Sequence, residues 1–161
     1  MSDVKLYRHC PITDYLAEGL DNYHGDIRFE GNKAVLSYTT DDNERMVWDC
    51  IEEGPGHYIC KAKGVDLDGV GTMHRFPKGT ILEGYWEIKS EDGINSGMWR
   101  ISLRNLWRVP EAGDWVIIQD PKGESIKKHQ VAAIEKNNLK FKKHKPVPFS
   151  DFGKGWTYAQ D

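Results

Sequence analysis

The sequence predicts a mainly β fold, a single antiparallel up-and-down barrel preceded by a short N-terminal helix. Three observations carry this expectation. Apolar and polar residues alternate with a period of two through the middle of the chain. The alternation is clearest over residues 98–105, where Trp99, Ile101 and Leu103 face one way and Arg100, Ser102 and Arg104 the other. Such runs are separated by short texts rich in Gly, Pro, Asn and Asp, the chemistry of tight turns. Six Trp and seven Tyr supply broad rings that suit a pleated surface. Strands that follow one another through hairpins make a meander, and a meander that closes has no exposed edges.

Taken in order, residues 11–23 read as the helix. Thr13 can cap it, and Tyr15, Leu16 and Leu20 share a face. Residues 26–30 and 33–39 flank Gly31-Asn32, a two-residue hairpin signal. Residues 44–51 follow the turn-forming Thr40-Asp41-Asp42-Asn43 and place Met46, Trp48 and Cys50 on one face. Gly54-Pro55-Gly56 breaks the run, and residues 57–63 resume it. Strands over 70–76 and 80–89 flank Pro77-Lys78-Gly79. In the second, Leu82, Gly84, Trp86 and Ile88 share a face, with Glu83, Tyr85 and Glu87 opposite. Residues 90–97 read as a polar loop before the strand at 98–105. Trp115–Gln119 is short and apolar, and Asp120-Pro121-Lys122-Gly123 is turn text. Residues 125–135 read as strand, with a hairpin through Lys136-Asn137-Asn138 into 139–142. Residues 146–161 read as a coil tail carrying Phe149, Phe152, Trp156 and Tyr158. No repeat or linker divides the chain, so one barrel domain over 1–161 is expected, with a helical segment at 1–25 and an aromatic tail at 146–161.

Composition bounds the function. A chain of 161 residues is long enough to bury a core, and 39% hydrophobic residues exclude a disordered class. The start, Met1-Ser2-Asp3-Val4-Lys5, leads into no apolar run of the kind that a secretory signal needs. No stretch approaches the roughly 20 apolar residues that span a bilayer. Cys10, Cys50 and Cys60 are odd in number and lack metal-ligand spacing, so a reducing, cytoplasmic compartment is expected. Net charge is −3, yet residues 122–145 hold eight Lys against two acids. That stretch reads as a solvated edge hairpin. Nucleic acid is not the expected partner, because Phe141 is the one aromatic available there for base stacking.

A series of stations along the chain resembles the calycin group of barrels, the lipocalin-like folds. They are Val47-Trp48-Asp49, Gly56-His57-Tyr58 with Ala62, Val65 with Gly69-Val70-Gly71, then Tyr85, Trp99 and Asp114-Trp115. A similar order of tryptophan, glycine-valine-glycine and aspartate-tryptophan occurs in an uncharacterised family of bacterial lipocalin-like proteins, and the likeness runs roughly over 25–145. The chain has neither the lipid-attachment signal of that family nor the glycine-tryptophan opening of lipocalins. The resemblance implies a ligand-binding barrel and brings no active site with it. In some calycins a single His in the barrel binds haem iron, which makes His74 and His129, on expected strands, the residues to locate.

A barrel holding an apolar or amphipathic small molecule is therefore the leading expectation, with Trp48, Trp86, Trp99, Tyr85 and Arg100 as its ligand-binding residues. A turn centred on Pro55 sets Cys50 opposite Cys60 and Trp48 opposite Ala62. The two thiols read either as small buried side chains or as a redox pair. Asp66-Leu67-Asp68-Gly69 looks like the start of a calcium loop, yet no Glu closes it, so it reads as a turn. Glu83 and Glu87 should face basic or polar residues of the next strand, Glu83 near Arg104 and Glu87 near Arg100 or Ser102, in a ladder on the solvent side. Were that face turned inward, Glu83, Tyr85, Glu87, Arg100 and Arg104 would form the acid–base set of a lyase or isomerase. An inward carboxylate with a raised pKa would favour the enzyme reading. The remaining alternative is a non-enzymatic interaction protein that uses the aromatic tail and the Lys-rich hairpin. The sequence names no cofactor and no oligomeric state.

Overall fold

The computed structural model describes residues 4–40, 43–64, 67–119 and 126–159. The chain divides into two compact units, residues 1–106 and 107–161. In the first, eight antiparallel strands follow one another around a closed barrel: β1 (Val4–Leu16), β2 (Gly19–Glu30), β3 (Lys33–Thr39), β4 (Arg45–Gly54), β5 (His57–Gly64), β6 (Leu67–His74), β7 (Ile81–Ser90) and β8 (Gly93–Ser102). β8 pairs back onto β1, with Ile101 beside Ile12 and Met98 beside Tyr15. Closure leaves no sheet edge unpaired, as the succession of hairpins predicts. No helix among the described residues is long and apolar enough to cross a membrane.

The expected N-terminal helix is not there. Residues 11–23 are the end of β1, a turn, and the start of β2, running in register from Pro11 opposite His24 to Leu16 opposite Gly19. The helical reading gave one face to Tyr15, Leu16 and Leu20, but Tyr15 and Leu20 are exposed. The period of two prevails because β1 gains a ladder on each side, and Cys10 and Ile12 point into the core. A bulge at Arg8-His9, with φ of 52° at His9, shifts the inward parity from Tyr7 to Cys10.

Turn chemistry sets most of the registers. Gly31 adopts φ of 59° in the turn that pairs Glu30 with Lys33. Cys50 faces Cys60 and Trp48 faces Ala62, as the Pro55 turn predicts. The polar loop expected at 90–97 is strand instead, and the chain turns at Glu91-Asp92. Glu83 consequently pairs with Arg100 and not Arg104, and Glu87 with Ser96. Polar side chains on an outward face do not prevent a backbone ladder, so polarity alone misplaced this turn.

The centre of the barrel is filled. Trp48 and Trp99 are 0% and 1% exposed, and their rings meet edge to face at 5.0 Å between centroids. Glycines make room for the indoles. A Cβ at Gly69 would stand 2.8 Å from Trp48 Cη2, and one at Gly97 would stand 3.0 Å from Trp86 Cζ2. A Cβ at Gly71 would touch Trp99 at 3.4 Å. Burying such a ring removes on the order of 200 Å² from water, about 5 kcal/mol before entropy is counted.

The barrel expected over the whole chain is completed by Ser102. The second unit holds one sheet ordered β10 (Ile126–Gln130), β9 (Trp115–Gln119), β14 (Trp156–Tyr158), and another ordered β11 (Ala133–Glu135), β12 (Asn138–Lys140), β13 (Val147–Pro148). The tail is not coil. It supplies β13, a 3-10 turn at Phe149–Asp151 and β14, and it buries Phe152 and Trp156 with Val116, Val131 and Leu139. Removing these aromatic surfaces from water favours the ordered segment. The expected turn at 120–123 lies outside the described residues.

Candidate functional site

The meander gives the barrel two distinct ends. At one end lie the connections β1–β2, β3–β4, β5–β6 and β7–β8. A cavity of about 300 Å³ opens there, between the inward side chains of β1 to β4, β6 and β7. Its polar centre is Asp14 on β1, two residues beyond the buried Ile12 on the same face. Tyr23 on β2 donates its hydroxyl to Asp14 Oδ2 at 2.7 Å, and Trp86 on β7 donates Nε1–H to Oδ1 at 3.1 Å. Tyr38 on β3 accepts the indole N–H of Trp48 at 3.0 Å. The Tyr23 and Tyr38 rings lie 4.8 Å apart. An indole only donates and a carboxylate only accepts, which fixes both directions: Trp48 to Tyr38, and Tyr23 to Asp14.

Burial holds the Asp14 carboxyl above its ordinary pKa, against the two hydrogen bonds that favour its charge. Burial likewise raises both phenols, Tyr23 further by Tyr38 and Asp14. Both tyrosines therefore remain neutral donors at physiological pH. Met46, Leu67 and Ile88 supply apolar wall, and Asp21 and Glu44 stand at the rim. None of the ion pairs among the described residues involves Asp14, Asp21 or Glu44. Each oxygen of Asp14 accepts one hydrogen bond within the protein, which leaves acceptor capacity for a ligand.

The five residues singled out from the sequence do not converge on one place. Trp86 lines the mouth cavity. Trp48 and Trp99 lie in the filled centre, where Trp99 donates to the Thr72 carbonyl at 2.9 Å. Tyr85 and Arg100 are on the outer wall, because they alternate with Trp86 and Trp99. Arg100 pairs there with Glu83 at 3.5 Å, an exposed contact of small energetic weight. The acid–base set of the enzyme reading thus faces outward. The inward carboxylate with a raised pKa is Asp14, which the helical reading of 11–23 concealed. Its signal was the alternation of Cys10, Ile12 and Asp14 and of Tyr23, Gly25, Ile27 and Phe29.

Other candidates have settled places. His74 is exposed and meets His57 Nδ1 to Nδ1 at 2.7 Å, outside the barrel, beside an outer-wall groove of about 730 Å³. His129 belongs to the second unit, with its pKa held down by burial and by His144 and Lys127. Neither is in the barrel core. Cys50 and Cys60 are buried free thiols. Of the suspected calcium loop, Asp66 lies outside the described residues, and Leu67 to Gly69 are strand. Among the described residues no group of three His, Cys, Asp or Glu side chains could hold a metal ion. The Lys-rich stretch contributes a shallow recess of about 290 Å³ lined by Lys128, His129, Phe141, Lys142 and Lys143.

No protein-family model, no curated protein and no solved structure matches the chain. The eight-stranded closed antiparallel barrel is consistent with a lipocalin-like fold, and that form is compatible with ligand binding.

Proposed function

We propose that the protein binds a small amphipathic molecule in the mouth of its barrel, at Asp14, Tyr23, Tyr38 and Trp86. The observation that carries this reading is the cavity itself. Its volume falls at the low end of the range of small-molecule sites, and it combines apolar wall with a few convergent polar groups. The filled centre below it confines a ligand to the mouth. The Trp86 indole, hydrogen bonded to Asp14, makes the reading testable. Titration of the protein with neutral, anionic and cationic amphiphiles, fatty acids, haem and flavin among them, should shift the Trp86 indole N–H resonance for at least one. Trp86→Phe should remove the corresponding fluorescence response. A spectrum unmoved by the whole panel refutes binding at the mouth.

The interaction-protein reading survives in altered form. The aromatic tail is core and not free to dock. The outer wall instead exposes Tyr15, Met98 and Tyr85, adjacent across β1, β8 and β7. Such neighbouring apolar side chains on a surface favour a macromolecular contact. Met98→Lys would abolish any association that uses this wall, as read by sedimentation, and leave mouth binding intact.

A further inference from the structure

We infer that the ligand of the mouth is an organic cation, an ammonium or quaternary ammonium head carried on an apolar body. This deepens the binding reading and rests on it. Three observations converge on the charge of the ligand. First, the polar lining is of one sign. Asp14, Asp21 and Glu44 border the cavity, and among the described residues no Lys, Arg or His does so and none of the three acids is ion-paired. Second, the walls around Asp14 are rings. Tyr23, Tyr38 and Trp86 come from three different strands and line the same space. A cation gains from such faces, most where water is excluded, whereas an anion is repelled by them and by the acids. Third, the two ends of the barrel differ in charge. Among the described residues of the connections at the mouth, Glu18, Glu44, Glu91 and Asp92 are acidic and none is Lys, Arg or His. The connections at the other end, 31–32, 55–56 and 75–80, carry Arg75 and Lys78 and no acid. Arg45 and Lys89, on strands that end at the mouth, are exposed and alternate with inward residues.

The chemistry at Asp14 agrees. Its hydrogen bonds from Tyr23 and Trp86 hold the carboxylate in place, one on each oxygen. A cation at the cavity would supply the counter-charge that no side chain among the described residues provides. A fatty acid or a haem propionate would bring a second negative charge to a half-buried carboxylate, which costs free energy in proportion to the poor screening there.

The test uses three probes of nearly one shape: choline, its neutral carbon isostere dimethylbutanol, and the anion dimethylbutanoate. Binding is read from the Trp86 indole resonance, which is sensitive to millimolar affinities. Choline should bind at least about fivefold more tightly than the isostere, the size of effect that ring faces and a desolvated carboxylate produce. Asp14→Asn and, separately, Glu44→Gln should shrink that ratio. The second variant covers the case in which the first disturbs the barrel, and far-ultraviolet circular dichroism checks both. Equal or tighter binding of the isostere or the anion overturns the inference and leaves the mouth a binding site. A choline preference unchanged in both variants overturns the assignment to these carboxylates. If choline fails to move Trp86 while a neutral amphiphile moves it, only the charge inference falls. If nothing moves it, the binding reading itself falls.

Discussion

Replacing Gly69 with alanine probes the filled centre that confines a ligand to the mouth. The added Cβ would sit 2.8 Å from Trp48 Cη2, 3.1 Å from the Ala62 Cβ and 3.2 Å from Trp48 Cζ3. Ordinary contact begins near 3.4 Å. The indole cannot yield easily, since Tyr38 holds its N–H at 3.0 Å and Trp99 packs against its ring. Overpacking of this kind costs about 1–3 kcal/mol. Alanine also narrows the unfolded ensemble, which returns about 0.4–1 kcal/mol. Gly54→Ala isolates that second effect, because the nearest atom to its Cβ is His57 Cδ2 at 3.7 Å. The entropic gain is common to both variants and cancels in their difference. Gly69→Ala should therefore be less stable than Gly54→Ala by about 1–3 kcal/mol, roughly 4–12 °C in Tm for a domain of this size. Urea and thermal melts followed by tryptophan fluorescence and circular dichroism measure the gap. Trp48→Phe should cost less in the Gly69→Ala background than alone, with a coupling of about 0.5–3 kcal/mol. Gly69→Ala melting at or above Gly54→Ala would refute the packing argument, and with it the confinement of a ligand to the mouth.

Asp14→Asn should flatten the pH dependence of stability of the ligand-free protein. The folded pKa of Asp14 lies above its unfolded value, so the native state binds the proton more tightly. Stability then falls as pH climbs from the unfolded carboxylate value through the folded one, and urea midpoints should show a shallower fall in the variant. Identical pH slopes in the two proteins would contradict this. Tyr38→Phe leaves the buried Trp48 N–H without its acceptor and should cost about 1–3 kcal/mol in urea unfolding. A neutral effect would mean that another group takes over the bond. The three thiols should resist thiol reagents until the chain unfolds. Cys10 is pushed up to about 11 by burial, and Cys50 is raised by its hydrogen bond to Cys60 and by burial. Rapid modification of the folded protein would disprove that protection.

Much of the barrel is written in short stretches of sequence. The Gly31-Asn32 and Pro55-Gly56 turns fix the registers around them, because a two-residue connection leaves few ways to pair its strands. The alternation of Leu82, Gly84, Trp86 and Ile88 against Glu83, Tyr85 and Glu87 determines which side is buried. Those local rules suffice for the opposition of Cys50 and Cys60 and for the outward charge pair of Glu83. They fail where a segment is completed by a distant one. Residues 11–16 become strand because β8 pairs with them across more than eighty positions of sequence, and no local pattern states that partner. The site depends on the same closure. Trp86 reaches Asp14 over a separation of 72 residues, and Tyr38 stands beside Tyr23 because β2 and β3 curve around one interior. Whether an indole fills the centre or lines the mouth is decided by its height along a closed barrel. That is a property of how eight strands stagger, which the alternation of any one of them does not contain.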